Sequence, residues 1–261
     1  MKTYKDHYKE CRDIYNSANG VNLYNVAIEK NCIKFDDTLL DSLAEKIKAH
    51  LERNHDTTDS KWCRYVNDFS TLPELNIICS DVVNLLEEKY FGSYVKIEFL
   101  HVLENKTNVP LESSWVWHYD DCPKEFLKFA IYLNDVTENN GPTQFVRAAN
   151  NAIPVIETYR DHPGAIKGVP PPVFPKSRVP PQVVDQIVSK GGKIESIVGK
   201  KGTNFLFTPN IIHRGTAPKP NSTPRMAIFM FVRPSKVKIN NVVKAANPKK
   251  LNLNVKKYIL D

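Results

Sequence analysis

The sequence predicts a mainly β protein with flanking helices, built as a sandwich or jelly-roll barrel. Three observations carry this. Two amphipathic helical stretches lie within the first 93 residues. From about residue 94 the apolar period changes from helical to strand-like. Short runs rich in β-branched and aromatic residues then recur, punctuated by Gly, Pro and Asn. A chain of 261 residues is long enough for one large domain. The expectation is a single domain over 1–261: a helical layer to about 93, a core over about 94–235 with a loop insertion at 148–182, and a basic extension at 236–261.

In order along the chain, Asp37 is placed to cap a helix over residues 38–53. Leu39, Leu40, Leu43, Ile47 and Leu51 fall on one face of it. Ser70 is placed to cap a second helix with Pro73 and Glu74 in its first turn; Leu75, Ile78, Val82, Leu85 and Leu86 form its stripe, and Gly92 lies just past its end. Both read as a layer packed outside a sheet. Strands are expected at 94–103, 114–120, 127–134, 143–147, 204–208 and 225–233. Asn139-Asn140-Gly141-Pro142 and residues 218–224 supply turn chemistry between them. Residues 152–181 hold Pro163, Pro170, Pro171, Pro172, Pro175, Pro180 and Pro181 and read as a long loop, a candidate lid. Val183, Val184 and Ile187 suggest a short helix ending at Gly191-Gly192.

Hydrophobic residues make up 41% and charged residues 25%, a globular composition that argues against disorder for most of the chain. The net charge is +7, much of it from Lys236, Lys238, Lys244, Lys249, Lys250, Lys256 and Lys257. These read as a solvated tail; a basic rim drawing in an anionic substrate is the other option. The five cysteines are odd in number and form no C-x-x-C pair, so neither a disulfide framework nor a zinc ribbon is indicated, and a reducing cytoplasm is expected. The first residues show no apolar h-region, so no signal peptide is expected. The longest apolar run, Met226 to Val232, is too short to span a bilayer.

The chemistry sits in His118-Tyr119-Asp120, His213 and Arg225. Side chains at i and i+2 of a strand share a face, so His118 and Asp120 are expected to project together into the barrel. Trp115, Trp117 and Tyr119 are expected to turn the other way, against the helices. A third ligand must come from a facing strand, and His213 is read as closing the strand that follows Phe205-Leu206-Phe207. Two imidazoles and a carboxylate on one side of a metal leave the opposite side open, the arrangement of mononuclear iron(II) oxygenases. Arg225 shares a strand face with Ala227, Phe229 and Phe231. If that face lines the barrel, a guanidinium is buried among apolar groups and needs an anion; its planar fork suits a carboxylate.

Four segments resemble the phytanoyl-CoA dioxygenase-like family of iron(II)/2-oxoglutarate-dependent oxygenases. They are Trp117 to Asp120, Leu127 to Asp135, Glu138 to Val146, and Gly202 through His213-Arg214-Gly215 to Arg225, within roughly residues 94–233. The resemblance implies a double-stranded β-helix, a cupin-like jelly roll. It implies iron(II) bound by His118, Asp120 and His213, with 2-oxoglutarate and O2 as co-substrates. Arg225 would hold the distal carboxylate of 2-oxoglutarate, and Lys128 is a further co-substrate contact. It implies hydroxylation of a small-molecule substrate with decarboxylation of 2-oxoglutarate to succinate. The chain departs from the family after Val146: Arg147-Ala148-Ala149-Asn150-Asn151 replaces the usual Pro-Gly-Ser-His-type segment, so no acyl-CoA substrate is carried over. Two rivals remain at this level. The same three ligands suit a zinc hydrolase, and the charge suits a β-domain binding nucleic acid or another polyanion, although no basic helix accompanies it.

Overall fold

A seven-stranded antiparallel sheet and a three-stranded one form the framework, in the strand orders β1-β8-β5-β10-β4-β3-β2 and β7-β6-β9. The strands are β1 (Ile28–Lys30), β2 (Thr57–Asp59), β3 (Cys63–Val66), β4 (Tyr94–Asn105) and β5 (Leu127–Tyr132), followed by β6 (Thr143–Arg147), β7 (Lys193–Ile197), β8 (Asn204–Phe207), β9 (His213–Gly215) and β10 (Met226–Ser235). The helices are α1 (Tyr4–Ser17), α2 (Asp37–Glu52), α3 (Pro73–Leu86), α4 (Pro181–Ser189) and α5 (Val242–Ala245). The computed structural model describes residues 4–18, 23, 26–53, 57–120, 122, 125–156 and 177–245. Among them, no helix is long and apolar enough to cross a membrane.

The larger sheet is covered on both faces. Its outer face places Phe129, Ile131, Leu206, Ile228, Met230, Leu100 and Val102 against Leu40, Leu43, Ile47, Leu75, Ile78 and Val82 of α2 and α3. Its inner face places Ala130, Tyr132, Phe205, Phe207 and Ala227 against Phe145 and Ile197 of the smaller sheet, with Ile211 beside them. This double burial explains the sequence of β5 and β8, which are buried at every position instead of alternating. Each fully buried Leu, Ile or Phe contributes about 1.5–3 kcal/mol, so the sheet is held from both sides. In β4, Ile97 and Leu100 both face the helices although they are three residues apart. A register shift against β10 between Phe231 and Val232 accommodates the extra residue.

Several local expectations are corrected. The cap of α2 is Asp36, whose side chain accepts from the Leu39 amide; Asp37 is the first helical residue. The N-cap of α3 is Leu72 without a side-chain hydrogen bond, and Ser70 lies outside the helix, because Pro73 at the first position already removes one orphan N–H. After α3 the chain continues as a π-helix over Glu87–Phe91 and stops at Gly92, whose φ of 59° is left-handed. The segment before 94 is not only helical: β1, β2 and β3 join the large sheet. β7, unforeseen, pairs with β6. The basic extension begins as a docked segment, with Val242 and Val243 buried against the helical core; residues 246–261 lie outside the described residues. So does most of the proline-rich loop, residues 157–176. α4 matches the short helix expected before Gly191-Gly192.

Candidate metal centre

Residues 114–120 do not form the expected ladder strand. A 3-10 turn occupies Ser113–Trp115, and His118 is held by isolated bridges to His213 and Arg178. The His118 and His213 amides each donate to the other's carbonyl, at 3.0 and 2.9 Å. His213 does not close β8; it opens β9 in the opposite sheet. That reciprocal pair of backbone bonds sets the two imidazoles side by side, ring centroids 4.2 Å apart. Asp120 is fixed by its amide, which donates to the Pro209 carbonyl at 3.0 Å. Asn210 clamps the turn beyond it, accepting from the Cys122 amide at 2.9 Å and donating to the Cys122 carbonyl at 2.8 Å. Trp117 and Tyr119 do turn away from His118 and Asp120, but onto α4 and Val179 instead of the N-terminal helices. Trp115 packs on Cys63 and Leu103.

The expected convergence is present. His118, Asp120 and His213 offer one ligand atom each, all within 4.8 Å of one another. Nε2 of His118 lies 3.7 Å from Oδ1 of Asp120, and Nε2 of His213 lies 3.4 Å from Oδ2. The outer ring nitrogens decide the tautomer. Nδ1 of His118 is 2.9 Å from the Val116 carbonyl and Nδ1 of His213 is 2.8 Å from the Ile211 carbonyl. A carbonyl only accepts, so each Nδ1 carries the proton and each Nε2 lone pair points at the carboxylate. His213 Nε2 is buried without a hydrogen-bond partner among the described residues. An orphaned lone pair beside a second one and a carboxylate is a donor set for a divalent first-row cation. Burial, reinforced by the His213 imidazole, pushes His118 well below the usual histidine range and so keeps it able to ligate. Burial alone would raise the Asp120 carboxyl, but the Lys128 ammonium outweighs it and holds the group well below the carboxylate range.

Lys128 is buried, ion-paired to Asp120, with its Nζ 4.2 Å above the Phe231 ring. Arg225 stands on the same inner face, as its spacing from Ala227, Phe229 and Phe231 predicts. It is 4% exposed, and its partners are neutral: Nη1 donates to Thr143 Oγ1 at 2.7 Å and Nη2 to Asn105 Oδ1 at 3.2 Å. Nε has no partner among the described residues, and the guanidinium faces the Tyr132 and Phe229 rings at 5.7 and 5.6 Å. The arginine lies just before the first residue of β10, its amide bonded to Asn140 of the turn before β6. Thr143 and Asn105, missed in the sequence, aim the fork; so do the Val116 and Ile211 carbonyls for the imidazoles. Asn105 ends the alternating run of β4 on the inward face, a signal that was legible but weak.

A sequence profile described as "Phytanoyl-CoA dioxygenase (PhyH)" matches residues 76–227. No curated protein sequence matches the chain. Among solved structures, EctD from S. alaskensis in its apoform superposes with a TM-score of 0.54 at 15% identity, over 80% of this chain and 73% of that one. The epimerase SnoN from nogalamycin biosynthesis, solved with Fe3+, alpha ketoglutarate and nogalamycin RO, gives 0.53 at 13% identity, over 88% and 84%. The carbocyclase SnoK, described as non-heme and alpha ketoglutarate dependent, gives 0.52 at 13% identity, over 89% and 86%. At these identities the likeness establishes the shared fold, the double-stranded jelly roll. The profile match, spanning more than half of the sequence, goes further: the chain belongs to the phytanoyl-CoA dioxygenase family of oxygenases, which work with iron, 2-oxoglutarate and O2.

Proposed function

We propose that this oxygenase hydroxylates a small-molecule substrate while 2-oxoglutarate is decarboxylated to succinate, and that the whole chain, 1–261, serves as one catalytic domain. His118, Asp120 and His213 would hold iron(II). Arg225 would take the distal carboxylate of 2-oxoglutarate, and Lys128 would stand beside the metal-binding carboxylate as a further contact. Bound iron(II) would supply the activation of O2 that couples loss of carbon dioxide from 2-oxoglutarate to oxidation of a substrate C–H bond. The chain's own contribution is positional. The Val116 and Ile211 carbonyls hold both imidazoles in the ligating tautomer. Phe145 and Phe207 pack on His213 at 6.1 and 5.2 Å and exclude water from that side. Asp120 keeps its charge, and a carboxylate at that position blocks the open site a halide would need, which favours hydroxylation.

One observation carries the reading: among the described residues Arg225 is a buried cation with only neutral partners, on the inner sheet face it shares with Lys128, which is ion-paired to Asp120. A buried charge left so costs several kcal/mol unless an anion completes it. Binding of the co-substrate carboxylate would do so. Reading the protein as cytoplasmic rests on its five cysteines, none of which forms a disulfide. The test is anaerobic addition of iron(II) and 2-oxoglutarate. A weak visible charge-transfer band should appear only when both are present, and succinate release under O2 should depend on both. Hydrolytic activity with zinc and no 2-oxoglutarate turnover would transfer the site to the metal-hydrolase reading.

A further inference from the structure

The smaller sheet packs on β8, β5 and β10. Beyond it, toward β4 and β3, the inner face of the large sheet keeps Phe99, His101, Phe231 and Tyr65 partly exposed, while the residues behind them are buried. His101 stands at the centre of this wall, opposite Phe229 in register. Its ring lies 5.6 Å from Phe231 and 5.9 Å from Tyr65, and Phe99 meets Phe231 edge-on at 5.9 Å. Lys128, over the same Phe231 ring, joins the wall to the ligand cluster.

Although His101 is partly exposed as a residue, its Nε2 is buried and has no hydrogen-bond partner among the described residues. A histidine kept for packing alone would be expected to bond that nitrogen or give way to an apolar ring, since leaving it unmade costs about 1–3 kcal/mol. Burial, with the Lys128 charge nearby, lowers the His101 pKa to about 4, so the ring is neutral near pH 7. A neutral imidazole can donate or accept at Nε2 by choice of tautomer.

We infer that His101 is a specificity-determining contact, its Nε2 hydrogen-bonding a hydroxyl borne by an apolar ring of the substrate that lies against Phe99, Phe231 and Tyr65. This rests on the proposed oxygenase reading, because it takes the space beside the ligand cluster to be the substrate's. The probes are phenol and toluene, near-isosteres with and without the hydroxyl, added to protein loaded with zinc(II) and 2-oxoglutarate. With 15N-histidine labelling, phenol should shift the His101 ring nitrogens and toluene should not. Phenol should bind at least ~10-fold more tightly than toluene, a preference that shrinks below ~3-fold in His101→Leu and returns in His101→Gln. Equal binding of the two probes to the wild type, or an unmoved His101 resonance, overturns the inference without needing any variant. The anaerobic iron–2-oxoglutarate band separates the two readings. A wild type lacking the band sinks the oxygenase reading, whereas a band kept in both variants alongside unchanged phenol preference sinks only the role of His101.

Discussion

Replacing Arg225 with Met separates a ligand-binding role from a structural one. The wild-type guanidinium already spends two N–H groups on Thr143 and Asn105, and its Nε is unpartnered. A carboxylate gripped by the remaining donors gains two charge-assisted bonds, each about 1.5–3 kcal/mol. Their loss is at least about 3 kcal/mol, or roughly a hundredfold weaker 2-oxoglutarate binding. Stability should respond differently. Met removes a buried charge that lacks a counter-ion, which offsets the two side chains left unbonded, so the ligand-free protein should change by less than about 2 kcal/mol. The assay is denaturant unfolding with and without 2-oxoglutarate in the presence of a divalent metal. At a concentration about 100 times the wild-type Kd, the ligand should add about 2.7 kcal/mol to the wild type. The same concentration should add only about 0.4 kcal/mol to the variant. Affinity within threefold of wild type, or a loss of more than about 4 kcal/mol in the ligand-free variant, would refute the reasoning. Arg225→Lys keeps the charge but not the planar fork and should fall between the two.

Further outcomes follow from other contacts. Asp120→Ala should abolish iron-dependent succinate release, and unchanged release would remove Asp120 from the proposed metal site. Gly141 adopts φ +81°, and an added Cβ would lie 2.5 Å from the Thr216 carbonyl; Gly141→Ala should cost about 2 kcal/mol or more in urea unfolding, and should weaken 2-oxoglutarate binding because Thr143 follows two residues on. Phe129→Ala, in the layer between β5 and the helices, should cost about 3–5 kcal/mol without altering the iron–2-oxoglutarate band; a changed band would mean the core and the site are coupled. Acid should weaken the metal-free fold. His101 and His118 take up a proton near pH 6.5 when unfolded but only at lower pH when folded, about 4 for His101. Stability therefore falls as pH drops below 6.5, by at most about 1.4 kcal/mol per pH unit for each histidine. His101→Phe should flatten that slope in unfolding midpoints measured from pH 7.5 to 5, and an unchanged slope would show that His101 is not titrating this way.

Local patterns made much of this protein legible in its sequence. α2 and α3 announced themselves by apolar residues at helical spacing, and β6, β8 and β10 by short apolar runs between turn residues, because each signal is complete within a few neighbouring positions. The H-x-D spacing and the second histidine likewise pointed to the three side chains that converge, and the strand pattern after Arg225 to its burial. H-x-D does not take its geometry from a strand: His118 is positioned by two backbone bonds to His213 and not by a ladder of its own.

What tertiary structure alone decided are the partners. Asn105 meets Arg225 across 120 residues, and Thr143 meets it across 82. Neither the neutrality of the arginine's surroundings nor the unpaired nitrogen of His101 can be read from a single segment. Short strands such as β1 and β3 carry too few residues to show a period and exist because longer neighbours offer them an edge. Residue types and their spacing specify which groups are available for chemistry. The register of strands distant in sequence sets which of those groups face one another, because that register follows from burying both faces of the large sheet at once.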